Sequence, residues 1–243
     1  TGVTDSSVYD IAISCSSGTY SFNTYITGSN TNSKNCVYTD IKLSNKVTSL
    51  GYSSFHSCNS LKTITIPNNI TRFLDNCFYG CSSLTSIIIP DNVVSIGYRA
   101  FEGCSFISVT IGDNVKSIGD WAFHSCSSLK TINIPNSVVR IGSEAFAYCS
   151  SLEFASIGNS VTNLDWTFRQ CNSLSSVTIG NSVTNIGQGA FWNCPSLTSI
   201  TLPDSLISIG YQAFGGCLSL TSITIPNRVT SIGDYAFAGC SSL

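Results

Sequence analysis

Cysteine is the residue of this chain best equipped for chemistry. A thiol can close a disulfide, hold zinc or attack as a thiolate. Twelve are present, and nine of them (Cys58, Cys81, Cys104, Cys126, Cys149, Cys171, Cys194, Cys217 and Cys240) follow one another at steps of 22 or 23 residues. No Cys-x-x-Cys pair occurs, so the local clusters on which zinc sites depend are missing. Constant steps put these cysteines at one position of a repeating unit. Stacked units stand about 4.7–4.9 Å apart, wider than the roughly 3.8 Å between Cβ atoms that a disulfide wants. The expectation is therefore a row of buried free thiols. Cys77 stands where other units have Ala100, Ala122 and Ala145, and reads as one more small inward residue. Cys36 and Cys15 continue the series backwards by 22 and 21 residues, and a Cys15–Cys36 disulfide stays open.

The other reactive side chains give little support to catalysis. The only histidines, His56 and His124, both precede Ser-Cys and lie three units apart. Stacking separates them by roughly 15 Å, too far to share a substrate atom. Neither has an acid partner in its own unit, so both read as solvated. Asp91, Asp113 and Asp120 are too scattered to converge on calcium. Charged residues make up 10% of the chain and the net charge is −2, which offers nucleic acid no basic patch. No apolar run approaches the roughly 20 residues of a membrane span. The reading is of a protein that is not an enzyme, with no catalytic residue, metal ligand or cofactor to assign.

The elements that hold these residues follow from the repeat. In Leu84-Thr85-Ser86-Ile87-Ile88-Ile89-Pro90, Ile87 and Ile89 alternate inward while Ser86 and Ile88 face out. Pro90 ends the strand because it has no N–H to donate. Asp91-Asn92 supplies turn-forming side chains, matched by Asn136-Ser137 and Asn159-Ser160. Val93 and Ile96 bring a second short segment inward. Gly97 turns the chain, and Ala100, Phe101 and Cys104 close the coil. A period of about 20–29 residues with Leu-x-x-Ile-x-Ile at its centre marks a leucine-rich-repeat solenoid, in which each rung touches only its neighbours. The predicted fold is a right-handed, mostly β coil with one parallel sheet. Short strands or single helical turns should form the opposite side, since no segment keeps a 3.6-residue period.

Residues 36–243 are read as the solenoid, its last repeat incomplete, with residues 36–57 a degenerate first rung. Residues 1–35, with Tyr9, Ile11 and Ile13 alternating, read as an N-terminal capping element. The sequence stops at Leu243 where a strand should begin, and neither an initiator Met nor a signal peptide opens it. The expectation is a processed or excised piece whose last rung is covered by further repeats or by another copy.

The run Ile-Pro-Asn-Ser-Val-x-x-Ile-Gly-x-x-Ala-Phe-x-x-Cys-Ser-Ser-Leu resembles the BspA-like, or Treponema-type, leucine-rich repeats. Residues 126–152 carry it almost unbroken, from Cys126 through Pro135, Gly142 and Phe146 to Leu152. The resemblance covers residues 36–243. It implies a location outside the cell or on its surface, and a role in adhesion to matrix proteins or other cells. It carries over no fixed functional residues.

Function must then lie in outward positions. On the sheet face these are mostly Ser and Thr, broken at Lys62, Ile88, Ile107, Lys130, Asn133, Glu153 and Phe154. Ile88, Ile107, Lys130, Glu153 and Phe154 form the candidate patch for a protein or cell-surface ligand. The alternative is an aromatic array after the glycine turn, with Tyr98, Trp121, Trp166 and Tyr211 as its binding residues. Against it stands the bland reading that these rings pack along the ladder and seal the wall. Three functions are weighed: an adhesion or protein-binding module, a structural protein assembling head to tail, and a water-ordering Ser/Thr surface.

Overall fold

The computed structural model describes the backbone of Asp10–Cys15 and Gly18–Asn23, and residues 38–243 in full. From residue 38 onward the chain is a parallel-strand β-solenoid of about eight turns with no helix among the described residues. Each rung has three walls. The sheet wall contains the parallel strands Ser86–Ile89, Ser108–Ile111, Thr131–Ile134, Phe154–Ile157 and Ser176–Thr178, after an earlier pair, Asp40–Lys42 and Thr63–Thr65. Register follows the repeat, with Ser86 opposite Ser108 and Thr131 opposite Phe154. Burial alternates along these strands as the sequence predicts, with Ile87 and Ile89 inside and Ile88 outside. The second wall is a stack of two-residue parallel strands such as Ser95–Ile96 and Ser117–Ile118. The opposite side is thus made of short strands rather than helical turns.

The third wall is neither strand nor helix. Alternate N–H groups bond in two directions: Arg99, Phe101 and Gly103 donate to carbonyls of the next rung, while Ala100, Glu102 and Cys104 donate three residues back in their own. This alternation needs left-handed backbone twice per rung, and Arg99, Trp121, Glu144 and Trp166 adopt it with φ between 51° and 61°. Side chains other than glycine pay a steric cost there, sustained by the ladder of inter-rung bonds. The glycine just before does not turn the chain through such a conformation. It answers to close approach: a Cβ on Gly142 would lie 2.3 Å from the backbone nitrogen of Asp120 in the preceding rung.

The walls enclose two ladders. Phenylalanines from Phe55 to Phe237 stack one per rung, with ring centroids 4.9–5.7 Å apart and interplanar angles of 2–17°. Beside them run the thiols. Cys81 Sγ donates to the carbonyl of Phe55 at 3.0 Å, Cys104 to Phe78 at 3.2 Å, and the pattern continues to Cys240. Phe78 O also receives the N–H of Cys81. Cysteine therefore supplies a small apolar body and a weak donor in a place where the carbonyl has a second lone pair to offer. Burial pushes the thiols of Cys149 and Cys217 up to about 12 and those of Cys104, Cys126, Cys171 and Cys194 well upward. The raised values keep these thiols protonated near neutral pH.

The expected row of free thiols holds from Cys77 to Cys240 and fails at one position. Cys58 is disulfide-bonded, and its partner lies outside the residues whose side chains are described. The ladder spacing argues against bonds between stacked neighbours, and Cys58 is the first of the nine regularly spaced cysteines. The possible Cys15–Cys36 pair lies outside the described residues. In that region the backbone of Asp10–Cys15 pairs antiparallel with Gly18–Asn23.

Two outcomes check this core. Native protein should react slowly with a thiol reagent, and the nine free cysteines from Cys77 to Cys240 should become fully reactive only on unfolding; four or more disulfides would contradict the ladder. Phe123→Ala should cost about 3–5 kcal/mol in denaturant unfolding, while Thr178→Ala on the sheet face should cost under about 0.5 kcal/mol.

Candidate binding surfaces

The sheet face offers three outward positions per rung: one just before the strand, and the first and third of the strand. The first of these brings together Ile107, Lys130 and Glu153. They stand on consecutive rungs, joined by backbone bonds from Lys130 N to Ile107 O and from Glu153 N to Lys130 O. Phe154 is beside Glu153 in the first strand position and is 39% exposed. Ile88 occupies the third strand position and is 70% exposed, but it stands apart. One rung and three positions separate it from Ile107, about 11 Å at sheet spacings. The five candidates thus share one face over four rungs, in two groups with Ser and Thr between them.

Along the C-terminal edge of this face runs a trough. Its floor is the strand ends, one side is the third outward position, and the other is the turn row of Asn and Asp. Three adjoining depressions of about 620, 640 and 300 Å³ carry it from Thr63 to Pro203, with Asp113 and Asn133 shared by the first two. The turn row is held as a ladder, since Asp91 accepts the N–H of Asp113 at 3.0 Å, Asn136 that of Asn159 at 2.8 Å and Asn159 that of Asn181 at 3.0 Å.

The aromatic array lies on the third wall and is largely occupied by itself. Arg99 lies 4.6 Å from the centroid of Trp121 and also over Tyr98, while Arg169 covers Tyr148, Trp166 and Trp192. His124 stacks on Trp121 at 4.3 Å. The ring of Trp166 lies against Gly189, where an added Cβ would come within 2.1 Å of it. Tyr211 is separate, meeting only Tyr235 edge-on at 5.9 Å among the described rings. The reading that these rings seal the wall describes Trp121 and Trp166; Tyr98 and Tyr211 remain more than 40% exposed.

The sequence reading missed the ionic network set among these rings. His124 faces Glu102 from the preceding rung at 3.7 Å and Glu144 from the following one at 3.6 Å; Arg99 pairs with Glu102 at 3.2 Å and Arg169 with Glu144 at 3.7 Å. Far from solvated, His124 has a side chain only 12% exposed. The signal was available: Glu102 precedes His124 by 22 residues, one rung, and partners in a solenoid are found one period away. Burial, aided by Arg99 and Arg169, lowers the pKa of His124 to about 4, so it is neutral near pH 7. Burial raises Glu102, Arg99 opposes this, and Glu144 adds to it. The Nε atoms of both arginines and Glu102 Oε2 lack hydrogen-bond partners of good geometry. Among the described residues no group of His, Cys, Asp and Glu could hold a metal ion, and no helix is long and apolar enough to cross a membrane.

Comparison with known proteins agrees with this architecture. A family model described as a BspA type leucine-rich-repeat region matches residues 24–82, 73–167 and 165–243. Among solved structures, the chain is similar to a leucine-rich-repeat protein from Eubacterium ventriosum ATCC 27560, with 22% identity, 84% of this chain and 77% of that one covered, and a TM-score of 0.60. It is also similar to the leucine-rich-repeat protein of T. pallidum, with 28% identity, 84% and 82% covered, and a TM-score of 0.55. No curated protein sequence matches it.

A depressed histidine pKa fixes the sign of one pH dependence. The stability tied to neutral His124 is present above the unfolded value near 6.5 and is lost as pH falls toward 4. Thermal unfolding should show a loss of roughly 1–2 kcal/mol between pH 7 and 5 after solvent screening. His124→Phe, which keeps the stack on Trp121, should remove most of that loss.

Proposed function

The chain belongs to the BspA-type leucine-rich-repeat family, and we propose that it is a non-catalytic, surface-exposed adhesion module that binds a protein or cell-surface ligand through its sheet face. The observation that carries this is Ile88. It is 70% exposed on a wall built mostly from Ser and Thr, at the rim of the first depression. A large apolar side chain held in water by a regular strand costs free energy that a partner would recover. Ile107, Lys130, Glu153 and Phe154 extend the same face. The disulfide at Cys58 supports an extracellular or cell-surface location, because such bonds persist in oxidising compartments. Residues 1–35 serve in this reading as the N-terminal cap.

A second reading, head-to-tail self-association, is favoured by the last rung. Ile232 is 51% and Leu243 52% exposed, while Ile223, Ile225, Val229 and Phe237 are only partly buried. A rung of another copy stacked there would bury them, and a stack that does not close makes a filament. Light scattering on size-exclusion fractions separates the readings, since filaments support assembly and a monomer supports the sheet-face module.

The binding reading has a localised test. Phe154→Ser with Ile88→Thr should abolish attachment to matrix proteins or host cells in an adhesion assay while the melting curve is preserved. Attachment that survives this change and is lost on Tyr98→Ser with Trp121→Ser would move the site to the aromatic wall.

A further inference from the structure

The first depression of the trough differs chemically from the rest. The third outward strand position is Lys42 in the first rung and Thr, Ser or Asn in the others; Ile88 is its one apolar residue. The turn row across from it is Asn except at Asp91, Asp113 and Asp204, and only Asp91 and Asp113 are neighbours. The break in one row falls beside the break in the other. Asp91 is in the same rung as Ile88, and Asp113 is in the next, tied to it by the bond from Asp113 N to Asp91 Oδ1. Both aspartates and Ile88 line the depression of about 620 Å³, together with Thr110 and Asn133, and no Lys, Arg or His lines it. No ion pair among the described residues involves a residue that lines this depression, so neither aspartate takes part in one.

An apolar surface three positions from two adjacent carboxylates matches one kind of side chain. Lysine and arginine combine an aliphatic stem with a cationic head, and bury the stem along apolar surface while the head seeks charge or water. We propose that this depression anchors a lysine or arginine side chain from a basic, extended segment of a partner protein. The stem lies on Ile88, the head between Asp91 and Asp113, and Thr110 and Asn133 take the remaining hydrogen bonds. A divalent cation fits less well, because calcium asks for six to eight converging oxygens and gains nothing from Ile88. The inference rests on the proposed function, in that it names the partner chemistry for part of the same face.

The test uses the full chain and a fluorescently labelled hexapeptide, Gly-Ala-Lys-Leu-Lys-Gly, with its counterpart carrying Glu for Lys. Anisotropy titration should show binding of the lysine peptide, weakening with added salt because the attraction is screened, and at least tenfold tighter than the glutamate peptide. Asp91→Asn with Asp113→Asn should weaken it about tenfold or more, and Ile88→Thr should also weaken it. Thr178→Ala, on the same face four rungs away, should leave it unchanged. Equal binding of the two peptides, or an unaffected double aspartate variant, overturns the proposal. So does a neutral oligosaccharide that binds at this depression where the lysine peptide does not, which would make the trough a glycan groove. Loss of cell attachment in the Phe154→Ser, Ile88→Thr variant, with no lysine-peptide binding by the unaltered chain, would leave the sheet-face function standing and remove this inference alone. Peptide binding as expected with attachment undisturbed would do the reverse.

Discussion

Every position in this protein must be able to stack on a near-copy of itself at sheet spacing. That constraint governs the residues chosen. Phenylalanine satisfies it by offset ring stacking at 4.9–5.7 Å. Cysteine does so by pointing its thiol at the carbonyl of the preceding rung. Asparagine and aspartate do so by accepting the next rung's N–H. Glycine is demanded wherever the rungs approach too closely for a Cβ. Charge satisfies the constraint poorly, since like charges one rung apart repel. The sparse charge of the chain and the opposite-sign pairs Arg99–Glu102 and Arg169–Glu144 about a neutral His124 follow from the same rule.

Much of this was legible because the repeat converts sequence distance into space. The register of the strands, the inward row of thiols, the Phe column and the Asn/Asp turn row could all be read from one unit and multiplied. What was not legible lies across units or outside them. His124 was judged by its own rung, where it has no acid partner, although its two carboxylates come from the rungs on either side. The backbone of the third wall was hidden as well. Nothing in the residue types of Arg99, Trp121 or Glu144 announces left-handed φ, because the inter-rung hydrogen bonds impose it. Cys58 occupies a repeat position, and the ladder spacing alone gave no sign of its disulfide.

The two decorated surfaces differ in what they leave free. On the aromatic wall, arginines lie over the rings of Trp121 and Trp166 and glutamates meet the arginines, so most of the binding capacity is spent within the molecule. On the sheet wall, Ile88 and Phe154 are presented outward by strands, and the adjacent aspartates by the turns that follow them, in a geometry the core dictates. A rigid, periodic frame thus offers variable side chains at fixed spacing, which lets a repeat protein change its partner without changing its fold. On the sheet side the exposed Ile88 stands beside Asp91 and Asp113, which take part in none of the ion pairs among the described residues.

Native-state hydrogen exchange tests most directly the claim that inter-rung stacking holds the molecule together. The amides of Phe101, Phe123, Phe146, Phe168 and Phe191 each donate to the following rung. The account predicts that these amides exchange only by large-scale opening and share a similar, high protection, while exposed turn amides such as that of Asn114 exchange freely. Exchange of Phe123 or Phe146 as fast as that of Asn114 would contradict it.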